Sequence, residues 1–113
     1  MKAEFERNMM LASELMSYCH LRGASDYHLD IKMKDGSAYF EVNASPIILS
    51  TEELAEARKK LDIPRQRDVE QDFWEVMGEW QVSCELTLVG MMSDEVCLDY
   101  HNEKLKITIR RDL

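Results

Sequence analysis

The sequence predicts an α/β protein: a two-layer sandwich with a four-stranded mixed sheet covered by helices on one face. Three observations predict it. Two stretches, 27–43 and 94–110, each carry alternating apolar residues on both sides of a short polar turn, as half-buried hairpins do. A helical spacing of apolar residues precedes the first hairpin and recurs between the two. Four strands with one apolar face need a covering layer, and the helices supply it. No internal repeat, low-complexity stretch or linker interrupts this order, so residues 1–113 read as a single domain.

Taken in order, the first element is a helix over 3–22. Phe5, Met9, Ala12, Met16 and Cys19 recur at steps of four and three, and Leu11, Leu15 and Tyr18 widen the stripe. Gly23 stands where a left-handed C-cap ends such a helix. Tyr27, Leu29, Ile31 and Met33 then alternate with His28, Asp30 and Lys32. Asp35-Gly36 turns the chain, and Ala38, Phe40 and Val42 return it as a second strand. Pro46 closes that strand. Ser50 with Glu53 forms a capping-box pattern at the start of a helix carrying Leu54, Ala57 and Leu61, and Pro64 stops it. A further helix from about Arg67 to Met77 places Val69, Phe73, Val76 and Met77 together, with Gly78 beyond. The pattern over 84–92 fits a strand or a short helix. Val96, Leu98 and Tyr100 alternate, His101–Lys104 turns, and Leu105, Ile107 and Ile109 alternate again. A helical crossover between the hairpins is expected to lay the strand at 95–101 parallel to the strand at 38–43, with right-handed connection.

Charge narrows the function classes. With 14 basic and 22 acidic residues the formal net charge is −8, which repels a phosphate backbone and argues against nucleic acid as partner. Arg58-Lys59-Lys60 and Arg110-Arg111 lie among acids and read as solvated surface. No apolar run is long enough for a bilayer, and the acidic N-terminal stretch lacks the apolar core of a secretory signal, so a cytoplasmic location is expected. Cys19, Cys84 and Cys97 form no CxxC, and with His20, His28 and His101 they complete no zinc spacing. They read as buried or half-buried free thiols. Adjacent Cys19 and His20 diverge by about 100° on a helix and make no nucleophilic pair. Glu52-Glu53 and Asp94-Glu95 read as cap or surface acids. No metal site is expected.

Two stretches carry a resemblance. Glu14-Leu15-Met16-Ser17-Tyr18, followed by Gly23-Ala24-Ser25 and the hairpin ending Phe40-Glu41-Val42-Asn43, is similar to the N-box helix of GHKL ATPases running into the strand that bears their adenine-binding aspartate. Leu86–Val96, followed by Asn102-Glu103-Lys104-Leu105, is similar to the last helix and final hairpin of the anti-sigma factor kinases in that superfamily. The resemblance covers about two-thirds of the chain. It implies a GHKL-like, histidine-kinase-type sandwich and a helix over 84–92.

The same resemblance implies where nucleotide chemistry belongs, and those positions are degenerate. Glu14 matches the N-box acid. The metal-binding asparagine falls at Tyr18, which has no amide oxygen for magnesium. The adenine-binding aspartate falls at Asn43, and the glycine after it is replaced within Ala44-Ser45-Pro46, so Ser45 stands near the backbone that approaches the nucleotide. The lid falls at Ser83-Cys84-Glu85-Leu86, which contains no glycine to wrap phosphates. No GxGxxG or GKS/T loop occurs elsewhere. Glu14 therefore reads as a solvated helix carboxylate rather than a base.

What remains is surface. Trp74, Trp80 and Val82, with the methionines, suit a protein-binding patch. The expectation is a non-catalytic regulatory module without cofactor, acting on another protein, a second copy of the chain included. The alternative is a diverged ATP-binding anti-sigma factor or serine kinase. A small-molecule sensor is a third class.

Overall fold

The turn chemistry of the first hairpin works as the sequence requires. Asp35 and Gly36 both take positive φ (52° and 78°), the mirror-image turn whose twist suits a two-residue hairpin. A computed structural model describes residues 2–65 and 86–113. In chain order these form α1 (Lys2–Leu21), β1 (Asp26–Lys34), β2 (Ser37–Ser45), α2 (Thr51–Leu61), α3 (Leu86–Met91), β3 (Glu95–His101) and β4 (Lys104–Asp112). The stretch over 84–92 is thus helical where it is described. The predicted helix over 67–77, and with it Trp74, Trp80 and Val82, lies outside the described residues.

The strands form an open sheet in the order β1-β2-β4-β3, and each neighbouring pair is antiparallel. This corrects the expectation of a mixed sheet with the strand at 95–101 parallel to β2: β4, not β3, sits beside β2. The reason is burial. β2 and β4 present Ala38, Phe40, Val42, Ala44, Leu105, Ile107 and Ile109, all buried, and the centre of a sheet is where such residues lose the most contact with water. A parallel β2–β3 contact would have left Leu105, Ile107 and Ile109 on an edge strand. The right-handed crossover falls with the parallel pair to which that rule applies.

The two hairpins are also structural copies. An offset of 67 residues carries Ser37–Ser45 onto Lys104–Asp112 and the β1–β2 register onto the β3–β4 register. The pairing Glu41↔Thr108 sits where the offset and the β2–β4 register coincide. The two halves are therefore related by an approximate two-fold axis through that pair. Aligned in this way, 26–45 and 93–112 share no identical residue, which hid the repeat from the sequence. Only the apolar alternation is common to both.

Helix α1 ends in a Schellman motif. Gly23 has φ 97°, its N–H donates to the His20 carbonyl, and the Ala24 N–H donates to the Cys19 carbonyl. The face it buries is not the one that sequence spacing favours. Leu11, Leu15 and Tyr18 point inward with Ala12 and Cys19, while Phe5 and Met9 are 62% and 37% exposed. The helix is turned so that Leu11, Leu15 and Tyr18 face the core, while the side bearing Met16 and His20 lies beside Tyr27 of β1.

The connection from β2 to α2 is held by Tyr100 of β3. Its hydroxyl donates to the Ile47 carbonyl (2.6 Å) and accepts from the Leu49 N–H (3.1 Å). The capping box then forms as read: the Ser50 hydroxyl accepts from the Glu53 N–H, and the Glu53 carboxylate accepts from the Ser50 N–H. Arg111 corrects a reading. It belongs to the same inward series as Leu105, Ile107 and Ile109 and is 0% exposed, not solvated. Its guanidinium donates to Glu4 of α1 (2.6 Å) and to the Met92 carbonyl (3.1 Å), so the far end of β4 is tied to the start of α1.

Two expectations follow. Arg111→Ala strips the ion pair from the buried side and should cost about 3–5 kcal/mol, read as a lower urea midpoint. Gly90 of α3 packs so closely on α2 that an added Cβ would stand 2.8 Å from the Lys60 carbonyl oxygen. Backbone cannot swing aside as a flexible side chain does, so Gly90→Val should cost about 2–3 kcal/mol by overpacking. An unchanged midpoint would show that α2 and α3 can separate freely.

Candidate functional site

Glu14 and Tyr18 stand one helical turn apart on α1 and so share a side of it. Both are buried, Glu14 at 1% exposure. That corrects the picture of a solvated carboxylate, and its carboxylate is not free. Burial pushes the Tyr18 phenol up in pKa, opposed by the nearby positive charge of Arg22, whose guanidinium lies 5.1 Å from the ring centre.

Asn43 and Ser45 are placed by strand parity. Along β2, Val42 and Ala44 face the helices and are buried, so Asn43 projects from the opposite face, where it is exposed. Its amide donates to Glu41 on the same face (3.0 Å). Ser45 shares that parity at the end of β2, next to the cis Ser45-Pro46 bond. The four positions that the GHKL resemblance assigned to a nucleotide are thus divided by the sheet, Glu14 and Tyr18 under the helices and Asn43 and Ser45 on the opposite side. One ligand cannot touch all four.

Of the concavities elsewhere, two are lined by Arg, Lys, Asp and Glu side chains. One of about 240 Å³ opens between the end of α1 and the start of α2, beside Tyr18, Arg22, Glu53, Glu56 and Lys60. Two of its charges are used internally: Arg22 pairs with Glu53 at 2.8 Å, and the Ser50 backbone N–H, more than Arg22, holds the Glu53 carboxyl below its usual pKa. The acid at Glu53 is a cap, as its position suggested. The other, about 430 Å³, runs between the end of α2 and β3 past Arg58, Arg65, Asp94 and Val96. There Arg65 pairs with Asp94 at 2.6 Å, and Arg58 donates to the Leu98 carbonyl at 3.0 Å. These groups close the fold around the β3 edge.

His28 and His101 occupy β1 and β3, at opposite edges of the sheet. Three strand spacings separate them by about 14 Å, too far to share a metal ion. Among the described residues no group of three or more His, Cys, Asp or Glu could hold one. Cys19 is buried, while Cys97 is exposed, contrary to the half-buried expectation, because its parity on β3 faces the open side.

The uncovered face of the sheet is the feature that sequence reasoning passed over as merely polar. It carries Asp30, Lys32, Tyr39, Asn43, Lys106 and Asp99, all exposed. Charges of both signs are mixed across it, with Lys32–Asp30 and Lys106–Glu41 contacts at 3.9 and 3.8 Å. The signal was available: the polar half of each alternating strand must share one face once the four strands pair.

No described helix is long and apolar enough to cross a membrane. A scan against models of protein families found no match to the chain, and neither did a search of curated proteins.

Thiol chemistry tests this geometry. Brief iodoacetamide treatment of the folded protein, read by peptide mass, should label Cys97 and spare Cys19. Burial pushes the Cys19 thiol up to about 11 from 9.0, so the folded state holds its proton more tightly than the unfolded chain. That contribution is complete below pH 9 and is lost as pH rises from 9 towards 11. Cys19→Ala should flatten the decline in stability over that window.

Proposed function

We propose that this chain is a non-catalytic regulatory module that works through protein–protein contact. One observation carries the reading: Glu14 and Tyr18 lie on the helical side of the sheet and Asn43 and Ser45 project from the other. What the described residues offer instead is recognition surface, an uncovered sheet face of mixed charge and an exposed sheet edge at β1. Kinship with the GHKL scaffold belongs to the same proposal. It is supported by the order of helix, hairpin, helical region and hairpin, and by helices packed on a single face. The antiparallel sheet and the divided positions are the reasons that nucleotide turnover is left out of it.

The test is an ATP titration with magnesium, followed by thermal unfolding and by phosphate release. A ligand of the native state at a hundred times its Kd adds about 2.7 kcal/mol, a rise of roughly 10 °C for a domain of this size. The expected result is a flat melting temperature and no phosphate released. A saturable rise would replace the proposal with the diverged ATP-binding reading.

A further inference from the structure

The two edges of the sheet are treated differently by the fold. In a two-residue hairpin the residues flanking the turn exchange both hydrogen bonds, and every second pair along the ladder does the same. On β3 this aims the N–H and C=O groups of Val96, Leu98 and Tyr100 outward, and Arg58 takes the Leu98 carbonyl. The approximate two-fold places Leu29, Ile31 and Met33 of β1 at the same positions. Among the described residues no strand pairs with the outer side of β1.

The apolar surface is unfinished at the same edge. No residue of β1 is fully buried: Tyr27, Leu29 and Ile31 are half-covered, and Met33 is 57% exposed. The flank of α1 bearing Phe5, Met9, Met16 and His20 runs along this strand. Met16 and His20 share a small depression with Tyr27, and at the strand's other end the Asn8 amide lies 3.8 Å from the Met33 sulfur. An open ladder with apolar residues beside it is a surface for strand addition.

We infer that the occupant is a second copy of this chain, paired β1 to β1 in antiparallel fashion about a two-fold axis through Leu29. The evidence is the charge order of the strand itself, Asp26, His28, Asp30, Lys32 on the open face. With the axis at Leu29, Asp26 meets Lys32 of the other copy and His28 meets Asp30, each twice. Leu29 meets Leu29, and Tyr27 meets Ile31 on the helical side. Moving the axis to Asp30 sets Asp30 against Asp30 and His28 against Lys32. Moving it to Ile31 keeps Asp30 against Lys32 but sets His28 against Lys34. Half-step registers are excluded because they turn the apolar residues to the wrong face. Of the registers that overlap five or more residues of β1, the Leu29 register alone opposes unlike groups at every open-face contact. The product is an eight-stranded sheet with the two α1 flanks closing over the seam. A net charge of −8 on each copy opposes the encounter at long range and is screened within about 10 Å at 0.1 M salt, so the local pairs decide the register.

This inference rests on the protein-contact reading, but the two can fail separately. Sedimentation equilibrium of the full chain at physiological salt should show a species of twice 13.2 kDa. Lys32→Glu, with folding verified by circular dichroism, should weaken association about tenfold or more, since two attractive cross-strand contacts become repulsive. The double variant Asp26→Lys/Lys32→Glu should restore it. A monomer at every concentration would overturn the pairing, and so would a dimer indifferent to Lys32→Glu or unrescued by the double variant. None of these results alters the ATP titration, which judges the protein-contact reading by itself.

Discussion

The β2–β4 ladder is the constraint from which the rest of this structure follows. Its partners lie far apart in sequence, Ser37 with Asp112 and Ala44 with Leu105, and among the described residues it is the only strand pairing that joins one hairpin to the other. Because side chains alternate along a strand, its register determines at once which residues enter the core and which reach the open face. Phe40 and Val42 go inward beside Ile109 and Ile107. Glu41 and Asn43 go outward beside Thr108 and Lys106. The two-fold relation between the hairpins is a consequence, since the same ladder sets equivalent strands back to back.

That parity also explains why the core accepts the charged Arg111. Arg111 cannot leave the buried series without shifting the ladder by one residue, which would expose Leu105, Ile107 and Ile109. The fold instead supplies Glu4 and the Met92 carbonyl as partners. An unpaired buried guanidinium is far costlier than a paired one, so the start of α1 is drawn over the end of β4. Glu14, also buried, sits on the same helix. The functional consequence is geometric: with α1 anchored at one end by Arg111 and at the other by the Arg22–Glu53 pair, the flank carrying Phe5 and Met9 is held along β1.

Much of the local structure was legible. Alternation marked all four strands, Gly23 marked the end of α1, and Ser50 with Glu53 marked the start of α2. Those signals are decided within a few residues, by cap hydrogen bonds and turn dihedrals. The helix face was less legible. Phe5, Met9 and Met16 make as regular a stripe as Leu11, Leu15 and Tyr18, and only the position of the sheet chooses between them. The burial of Glu14 escaped the sequence for a related reason. Glu14, Tyr18, Asn43 and Ser45 are grouped only by resemblance to another family, and resemblance says nothing about which side of a strand or helix a residue occupies.

By itself the sequence determined the types of α1, α2 and the four strands, the turns and caps, the net negative charge and the scarcity of glycine. Each depends on backbone preference or composition, which act locally or by simple summation. Tertiary structure alone decided the strand order, the burial of Arg111 and Glu14, the separation of Asn43 from Tyr18, and the contrast between a capped β3 edge and an open β1 edge. Each of these depends on contacts between residues distant in the chain, where many pairings satisfy the same alternation and only the packed core selects one.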